Sequence, residues 1–191
     1  MSMGKIVVSE FVTLDGVMED PGGVEGTAFG GWTLQYGSPE QEQFKSEELV
    51  RADALLLGRR TYQGFAAAWP AMEGTGDYGD KMNSMPKYVA STTLSEATWN
   101  ATLLKGDLTE ELPRLKQEVA QDILIFGSCQ LAHTLHAAGL IDEYRLMVFP
   151  ISVGAGKRLL PDGGERTTLK LVESKPFDSG VIVLTYRLAK E

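Results

Sequence analysis

Few cysteines and few basic residues limit the classes to which this chain can belong. Cys129 is the one cysteine among 191 residues, which excludes an internal disulfide and a cysteine-rich zinc site. Lysine and arginine total 18 against 26 aspartate and glutamate residues, so the formal net charge is −8. We therefore expect no nucleic-acid partner, and an anionic ligand would need a local positive spot.

Long apolar segments are also missing. No stretch approaches the ~18 apolar residues of a membrane span, and the N-terminus lacks the apolar segment of a secretory signal. We therefore expect no membrane insertion and a cytoplasmic location. Hydrophobic residues still make up 43% of the chain, which is enough for a core, and the length suits a single domain over residues 1–191.

Familiar nucleotide and metal motifs are incomplete. Gly154-Ala155-Gly156 begins like a dinucleotide fingerprint, but Leu159 stands where the third glycine should be. Gly156-Lys157 lacks both the upstream glycine and the following Ser or Thr of a Walker A loop. His133 and His136 lie off the apolar face of a predicted helix, so we expect both to be exposed and predict no metal site.

Strand-like and helix-like segments alternate along the chain. Apolar runs predict strands, listed in chain order, at 5–13, 54–58, 87–91, 99–104, 123–126 and 143–149. Helical spacing and capping patterns predict helices at 38–52, from 59, at 108–119 and at 131–139, with a loop over 70–86. Two last strands, 169–175 and 181–188, flank a turn. This order predicts an α/β fold with a central, mostly parallel sheet flanked by helices and a C-terminal antiparallel hairpin.

Small, hydroxyl-bearing or basic residues follow three of the predicted strands. Gly58-Arg59-Arg60-Thr61 opens a helix, where free N–H groups and arginine donors favour a phosphate. Ser91-Thr92-Thr93 and Gly127-Ser128-Cys129 follow two other strands. Each segment alone is more often a turn, a polar edge or a helix cap. Because ligands of open α/β sheets bind beyond the carboxyl ends of the strands, we expect the three to form one site.

The three segments resemble those of the dihydrofolate-reductase-like superfamily. The resemblance includes one motif before them, Val12-Thr13-Leu14-Asp15-Gly16, and one after them, Gly139-Leu140-Ile141-Asp142-Glu143. The segment 150–159 is similar to one branch of it, the C-terminal reductase domain of bifunctional riboflavin-biosynthesis deaminase/reductases. The resemblance keeps motif order over nearly the whole chain. It implies a dihydrofolate-reductase-like fold, NADPH as hydride donor, a small heterocyclic substrate and a homodimer.

The resemblance also implies roles for individual residues. One group of residues would bind the cofactor, through its phosphates, its adenosine 2′-phosphate or its pyrophosphate and nicotinamide. These residues are Gly58, Arg59, Arg60, Thr61, Ser91, Thr92, Thr93, Gly127, Ser128, Cys129 and Leu131. Val12 and Gly16 would border the reaction centre, with Asp15 as the predicted catalytic residue. Trp32, Tyr36 and Glu40 are predicted to bind the substrate. The alternatives are a turn aspartate at Asp15 and packing of the 19–37 loop by Trp32 and Tyr36.

The chain departs from the riboflavin branch at two motifs. Glu10 stands where those enzymes carry a lysine, and Phe126-Gly127-Ser128 replaces their Glu-Gly-Gly. The acid that follows the helix-start proline in dihydrofolate reductases is also replaced, by Gln41. Three functions therefore stay open: reduction of 5-amino-6-(5-phosphoribosylamino)uracil, reduction of a dihydrofolate or other pterin, and NADP binding without catalysis.

Overall fold

A computed structural model describes residues 3–189, and within that range eight strands form one sheet in the order β4-β3-β2-β5-β1-β6-β8-β7. The strands are β1 (Lys5–Thr13), β2 (Ala52–Gly58), β3 (Lys87–Ala90), β4 (Ala101–Leu104), β5 (Asp122–Ile125), β6 (Glu143–Phe149), β7 (Leu169–Pro176) and β8 (Ile182–Leu188). The pairs from β4 to β6 are parallel, whereas β8 is antiparallel to both β6 and β7. The predicted mostly parallel sheet with a C-terminal hairpin is confirmed. The ends of the predicted 1–191 domain, residues 1–2 and 190–191, lie outside the described residues.

Helices cover both faces of the sheet. They are α1 (Pro39–Val50), α2 (Arg59–Ala68), α3 (Asp77–Ser84), α4 (Leu108–Glu118) and α5 (Cys129–Ala137). Adjacent residues of β2 point to opposite faces: Leu56 packs with the cluster that includes α4 and α5, and Leu57 with the cluster that includes α1, α2 and α3. This burial on both faces explains why β2 contains the continuous apolar run from Ala54 to Leu57. None of the helices within residues 3–189 is long and apolar enough to cross a membrane.

Three predictions of local structure were wrong. The predicted 70–86 loop contains α3, a short polar helix that the sequence does not mark, because only Gly79 and Met82 of it are buried. The strand predicted from residue 99 begins at Ala101, because Trp99 and Asn100 have φ values of 55° and 54°, outside the extended region. The third error concerns the two histidines, which were predicted to be exposed.

Both histidines are partly buried and hydrogen-bonded. His136 Nδ1 lies 2.7 Å from the Tyr144 hydroxyl, which belongs to the neighbouring strand β6. His133 Nε2 lies 2.9 Å from the carbonyl oxygen of Arg158. The helical pattern placed both off the apolar face correctly, but loops that cover that face of α5 could not be foreseen from the pattern.

The start of α1 follows the capping pattern in part. The Ser38 hydroxyl accepts a hydrogen bond from the Gln41 backbone N–H over 3.3 Å, as an N-cap serine does. The Gln41 side chain does not return to Ser38; its amide donates to the Tyr36 carbonyl and the Ser179 hydroxyl, each over 2.7 Å. Gln41 therefore fixes the start of α1 to the turn between β7 and β8.

The lengths of three neighbouring strands create an opening in the sheet. β1 pairs with β5 only from Lys5 to Val8, where β5 ends at Ile125. On its other edge, β1 continues to pair with β6 as far as Thr13. The stretch from Ser9 to Thr13 therefore has a strand on one side only, and its first three residues, Ser9 to Phe11, line a cleft on the other side.

Candidate active site

A cleft of about 1800 Å³ lies over the carboxyl ends of β2, β3 and β5 and along the unpaired edge of β1. Its lining includes the three segments expected to meet there. The predicted cofactor residues on its wall are Gly58, Arg59, Arg60, Thr61, Ser91, Thr92, Thr93, Gly127, Ser128, Cys129 and Leu131. The fold thus brings together residues from three separate strand ends, and their roles toward a ligand stay predictions.

Two reciprocal hydrogen bonds join the beginnings of α2 and α5. The Gly58 backbone N–H donates to the Ser128 hydroxyl, and the Ser128 backbone N–H donates to the Thr61 hydroxyl, both over 2.9 Å. Neither helix has a side-chain cap on its own first turn. The unpaired first-turn N–H groups of two helices therefore lie side by side at the cleft, where they favour an anion.

The Gly127-Ser128 turn is under conformational constraint. Gly127 has φ +58°, and a Cβ placed on it would approach the Thr61 side chain to 3.2 Å. Ser128 follows at φ 60°, a left-handed conformation that is unfavourable for a residue other than glycine. The hydrogen bonds of Ser128 with Gly58 and Thr61 support this conformation, and its hydroxyl also donates to the Phe126 carbonyl over 3.2 Å. Strained backbone of this kind is concentrated at functional sites.

The mouth of the cleft is basic although the chain as a whole is acidic. Arg59 and Arg60 are exposed on its wall, and neither forms an ion pair with any residue in the 3–189 range. Lys157 and Arg158 line the cleft too, but Lys157 is paired with Glu19 and Arg158 lies 3.7 Å from Asp162. The two free guanidinium groups are the local positive spot that an anionic ligand would need.

The segment after β3 forms a turn around the Ser91 side chain. The Ser91 hydroxyl accepts hydrogen bonds from the backbone N–H groups of Thr93, over 3.2 Å, and Leu94, over 3.1 Å. Thr92 and Thr93 are exposed on the cleft wall. Ser91 is therefore occupied with the turn, and its hydroxyl also lies 3.4 Å from the Thr93 hydroxyl.

Sequence reasoning missed a polar cluster on the inner wall. Lys45 of α1 donates to the Ser9 hydroxyl over 2.7 Å and to the Glu48 carboxylate over 2.6 Å, and its ammonium lies 4.4 Å from the centre of the Phe126 ring. Ser9, Lys45 and Phe126 all line the cleft. The available signal was Ser9-Glu10, the polar pair inside the otherwise apolar β1.

Glu10 is the second polar residue of β1 on this wall. Its side chain lines the cleft yet is only 6% exposed, and its Oε1 has no hydrogen-bond partner within residues 3–189. Burial raises the pKa of this carboxyl well above its ordinary value, although the Gly127 N–H and the charge of Lys45 act in the opposite direction. Burial of this carboxyl therefore favours its neutral form over its charged form.

Six predicted residues are not on the cleft wall. Asp15 accepts hydrogen bonds from the Thr13 hydroxyl over 2.6 Å and the Gly154 backbone N–H over 2.8 Å, and these bonds hold its pKa below the ordinary value despite partial burial. This is the geometry of a turn aspartate that ties the end of β1 to the 150–158 segment. Val12 is buried in the core, and Gly16 lies in the turn that follows Asp15. Their direct roles stay predictions.

The three predicted substrate residues belong to the surrounding loop and helix start. Trp32 is 4% exposed, packs edge-on against Phe149 at 5.3 Å and donates its indole N–H to the Glu19 carbonyl. Tyr36 donates its hydroxyl to the Pro150 carbonyl over 3.3 Å, and Glu40 is exposed in the first turn of α1. The aromatic pair packs the loop in this structure, and a direct contact with substrate stays a prediction.

Comparison with known proteins agrees with this fold. The model of the RibD C-terminal domain family matches residues 4–183. The uncharacterised protein YyaP of Bacillus subtilis (strain 168) is 29% identical over 185 residues, covering 95% of this chain and 94% of YyaP.

Two solved structures share the architecture. A putative riboflavin biosynthesis protein from Shewanella sp. PV-4 superposes with a TM-score of 0.77 at 21% identity, covering 97% of this chain and 99% of that one. The dihydrofolate reductase from Enterococcus faecalis, in complex with NADP(H) and RAB-propyl, gives a TM-score of 0.66 at 15% identity, with 99% of each chain covered. The fold is therefore dihydrofolate-reductase-like, and the chain belongs to the RibD C-terminal domain family.

Proposed function

We propose that this protein is an NADPH-dependent reductase that transfers a hydride to a small heterocycle. The observation that carries the proposal is the pair of joined helix N-termini at the mouth of a large cleft, beside two arginines that form no ion pair with any residue from 3 to 189. The E. faecalis dihydrofolate reductase, whose fold is similar and whose structure contains NADP(H), supports the choice of cofactor. Family membership favours a pyrimidine such as 5-amino-6-(5-phosphoribosylamino)uracil as the substrate.

The residues at the cleft fit the phosphates of NADPH. The first-turn N–H groups of α2 and α5 suit a pyrophosphate, and Gly127 allows the backbone to come close to it. Arg59 and Arg60 would bind the 2′-phosphate, which distinguishes NADPH from NADH, with Thr92 and Thr93 as hydroxyl donors. Bound there, the cofactor would supply the hydride.

The inner part of the cleft suits the reacting rings. Phe11, Met18 and Phe126 line it and provide apolar surface against which a flat heterocycle can pack. Such a wall keeps water away from the reacting carbon and strengthens the hydrogen bonds made inside the cleft. Ser9, Glu10 and Phe11, on the part of β1 that does not pair with β5, line this end of the cleft.

A titration tests the proposal directly. NADPH and NADH are added separately while tryptophan fluorescence is followed, and NADPH oxidation is then measured with the phosphoribosylaminouracil and with dihydrofolate. We expect NADPH to bind more tightly than NADH and the pyrimidine to be reduced. No binding of NADPH would overturn the proposal. Reduction of dihydrofolate alone would establish the pterin alternative.

Binding without catalysis is the second candidate. It is favoured by Gln41, whose amide is used structurally where dihydrofolate reductases place an acid. Tight NADPH binding with no turnover of either substrate would support this reading.

A further inference from the structure

The unpaired edge of β1 places one acid at the inner end of the cleft. Val8 is the last residue of β1 that pairs with β5, and Glu10 lies beyond it. On the other edge of β1, Glu10 pairs with Leu146 of β6. The side chain is 6% exposed and lines the cleft, with Oε1 unpartnered among the described residues. A ring that entered the cleft would meet a buried carboxyl whose Oε1 has no partner among the described residues.

The charged and titratable groups around Glu10 come from α1 and α5. Lys45 and Glu48 of α1 act on it electrostatically, and Glu10 in turn acts on the Cys129 thiol of α5. The Lys45 ammonium is bonded to Ser9 and Glu48, so it is not available as a direct ion-pair partner for Glu10. The Gly127 backbone N–H is the remaining polar group directed to the carboxyl. Burial is the largest of these effects, and it favours the neutral form of the carboxyl.

The other acidic side chains that line the cleft are either ion-paired or exposed to solvent. Glu19 is paired with Lys157, and Asp162 has a side chain that is 93% exposed. Glu25 is exposed on the 19–37 loop. Among the described acids of the lining, Glu10 is therefore the buried one, and a general acid must be held at the reacting atoms.

We propose that Glu10 is the proton donor of this reductase. The role rests on the proposed function and adds to it the source of the proton. As a hydride adds to the carbon of a C=N or C=O bond in the heterocycle, a new C–H bond forms and the π electron pair moves to the nitrogen or oxygen. The Glu10 O–H bond breaks and its proton joins that atom, leaving a carboxylate. The substrate is reduced and the dihydronicotinamide oxidised to pyridinium, and water restores the Glu10 proton.

The protonation state is measured first, in the free protein. Infrared spectra are recorded across a pH series for the wild type, for Glu10→Gln and for Glu173→Gln, a control at an exposed position on β7. We expect a carbonyl band of a protonated carboxylic acid at neutral pH in the wild type and in the control, and its loss in Glu10→Gln. Absence of this band from the wild type would overturn the proposal.

Kinetics then test proton transfer. Glu10→Gln keeps the size of the side chain, so NADPH affinity measured by fluorescence should be unchanged. We expect kcat to fall by about 10²- to 10⁴-fold, the usual contribution of a general acid. The wild-type rate should decline at alkaline pH as Glu10 ionises, whereas the residual rate of Glu10→Gln should lack this decline. Glu10→Asp, which keeps an acid, should restore part of the pH dependence.

The outcomes separate the two proposals. If the acid band is present but NADPH does not bind, the proposed function fails and the donor role fails with it. If NADPH binds and substrate is reduced, but Glu10→Gln keeps the wild-type rate and pH profile, only the donor role is overturned. Tight NADPH binding without turnover of the pyrimidine or dihydrofolate also overturns the donor role and favours a binding protein.

Discussion

The Ser128 backbone N–H donates to the Thr61 hydroxyl over 2.9 Å, and this bond joins the first turn of α5 to the first turn of α2. Thr61→Val keeps the shape of the side chain but leaves the Ser128 N–H without its acceptor, which costs about 1–3 kcal/mol. We expect a lower free energy of unfolding in urea and weaker NADPH binding. Thr102→Val, at an exposed position on β4, is the matched control and should change neither.

The arginine pair is predicted to distinguish the two nicotinamide cofactors. In Arg59→Ala/Arg60→Ala, the Kd for NADPH should rise about 10- to 100-fold, because hydrogen bonds between charged groups contribute roughly 1.5–3 kcal/mol. The Kd for NADH, which lacks the 2′-phosphate, should change much less. Fluorescence titration of both cofactors measures the difference, with Arg114→Ala on the exposed face of α4 as control. An equal loss for both would contradict a 2′-phosphate role.

Gly127 is predicted to resist a side chain for two reasons. Alanine there would adopt φ +58°, which costs about 1–2 kcal/mol, and its Cβ would come within 3.2 Å of Thr61. Gly139→Ala separates the two effects, because Gly139 has φ +64° with no atom within 4 Å of the added Cβ. We expect Gly127→Ala to lower the free energy of unfolding more than Gly139→Ala and, unlike it, to weaken NADPH binding. Equal destabilisation would show that crowding at Thr61 is unimportant.

Glu10 also makes stability depend on pH. The folded state raises the pKa of this carboxyl, so the folded protein holds a proton that the unfolded chain releases as pH rises above the ordinary glutamate value. Between those two pKa values the wild type should lose about 1.4 kcal/mol of stability per pH unit from this group. Glu10→Gln should not show this loss, so its free energy of unfolding should increase relative to that of the wild type as pH rises. Urea unfolding at several pH values measures it, with Glu173→Gln expected to follow the wild type.

The free edge of the sheet is the place where we expect two copies of the chain to meet. β7 forms that edge, and its Leu171 and Val172 are 49% and 47% exposed. An exposed edge strand with apolar side chains favours pairing with another chain. Light scattering should show a homodimer that Leu171→Glu dissociates, whereas Val50→Glu, at an exposed position near the end of α1, should not. A monomeric wild type would exclude the dimer.

The sequence predicted the strands and the segments that follow them, because both are marked by local patterns. β1 was predicted with its full extent, since a strand rich in apolar residues is typical of a parallel strand that is buried on both faces. The glycine-arginine and glycine-serine segments marked two helix starts in the same way. The bond between Ser128 and Thr61 was not foreseeable, because it joins residues far apart in the chain and depends on how the two helices face each other.

The inner wall was missed for a similar reason. Ser9 and Glu10 interrupt β1, but the sequence does not say that β5 ends early and leaves them beside a cleft. Asp15 was interpreted through its motif, whereas the structure shows its carboxylate engaged with Thr13 and the backbone of Gly154. Motifs thus predicted the residues on the outer part of the cleft wall, whereas the strand lengths determine its inner part.

The early end of β5 has a consequence for how the cleft can change in evolution. Past Val8, alternate residues of β1 direct their backbone N–H and C=O away from β6, and within Ser9–Phe11 that side is the cleft. If the proposed function holds, we expect these groups to pair with the edge of a flat ring as a neighbouring strand would, whichever side chains β1 carries. Replacing side chains around the cleft should then alter which ring is preferred, while the contribution of the main chain stays the same.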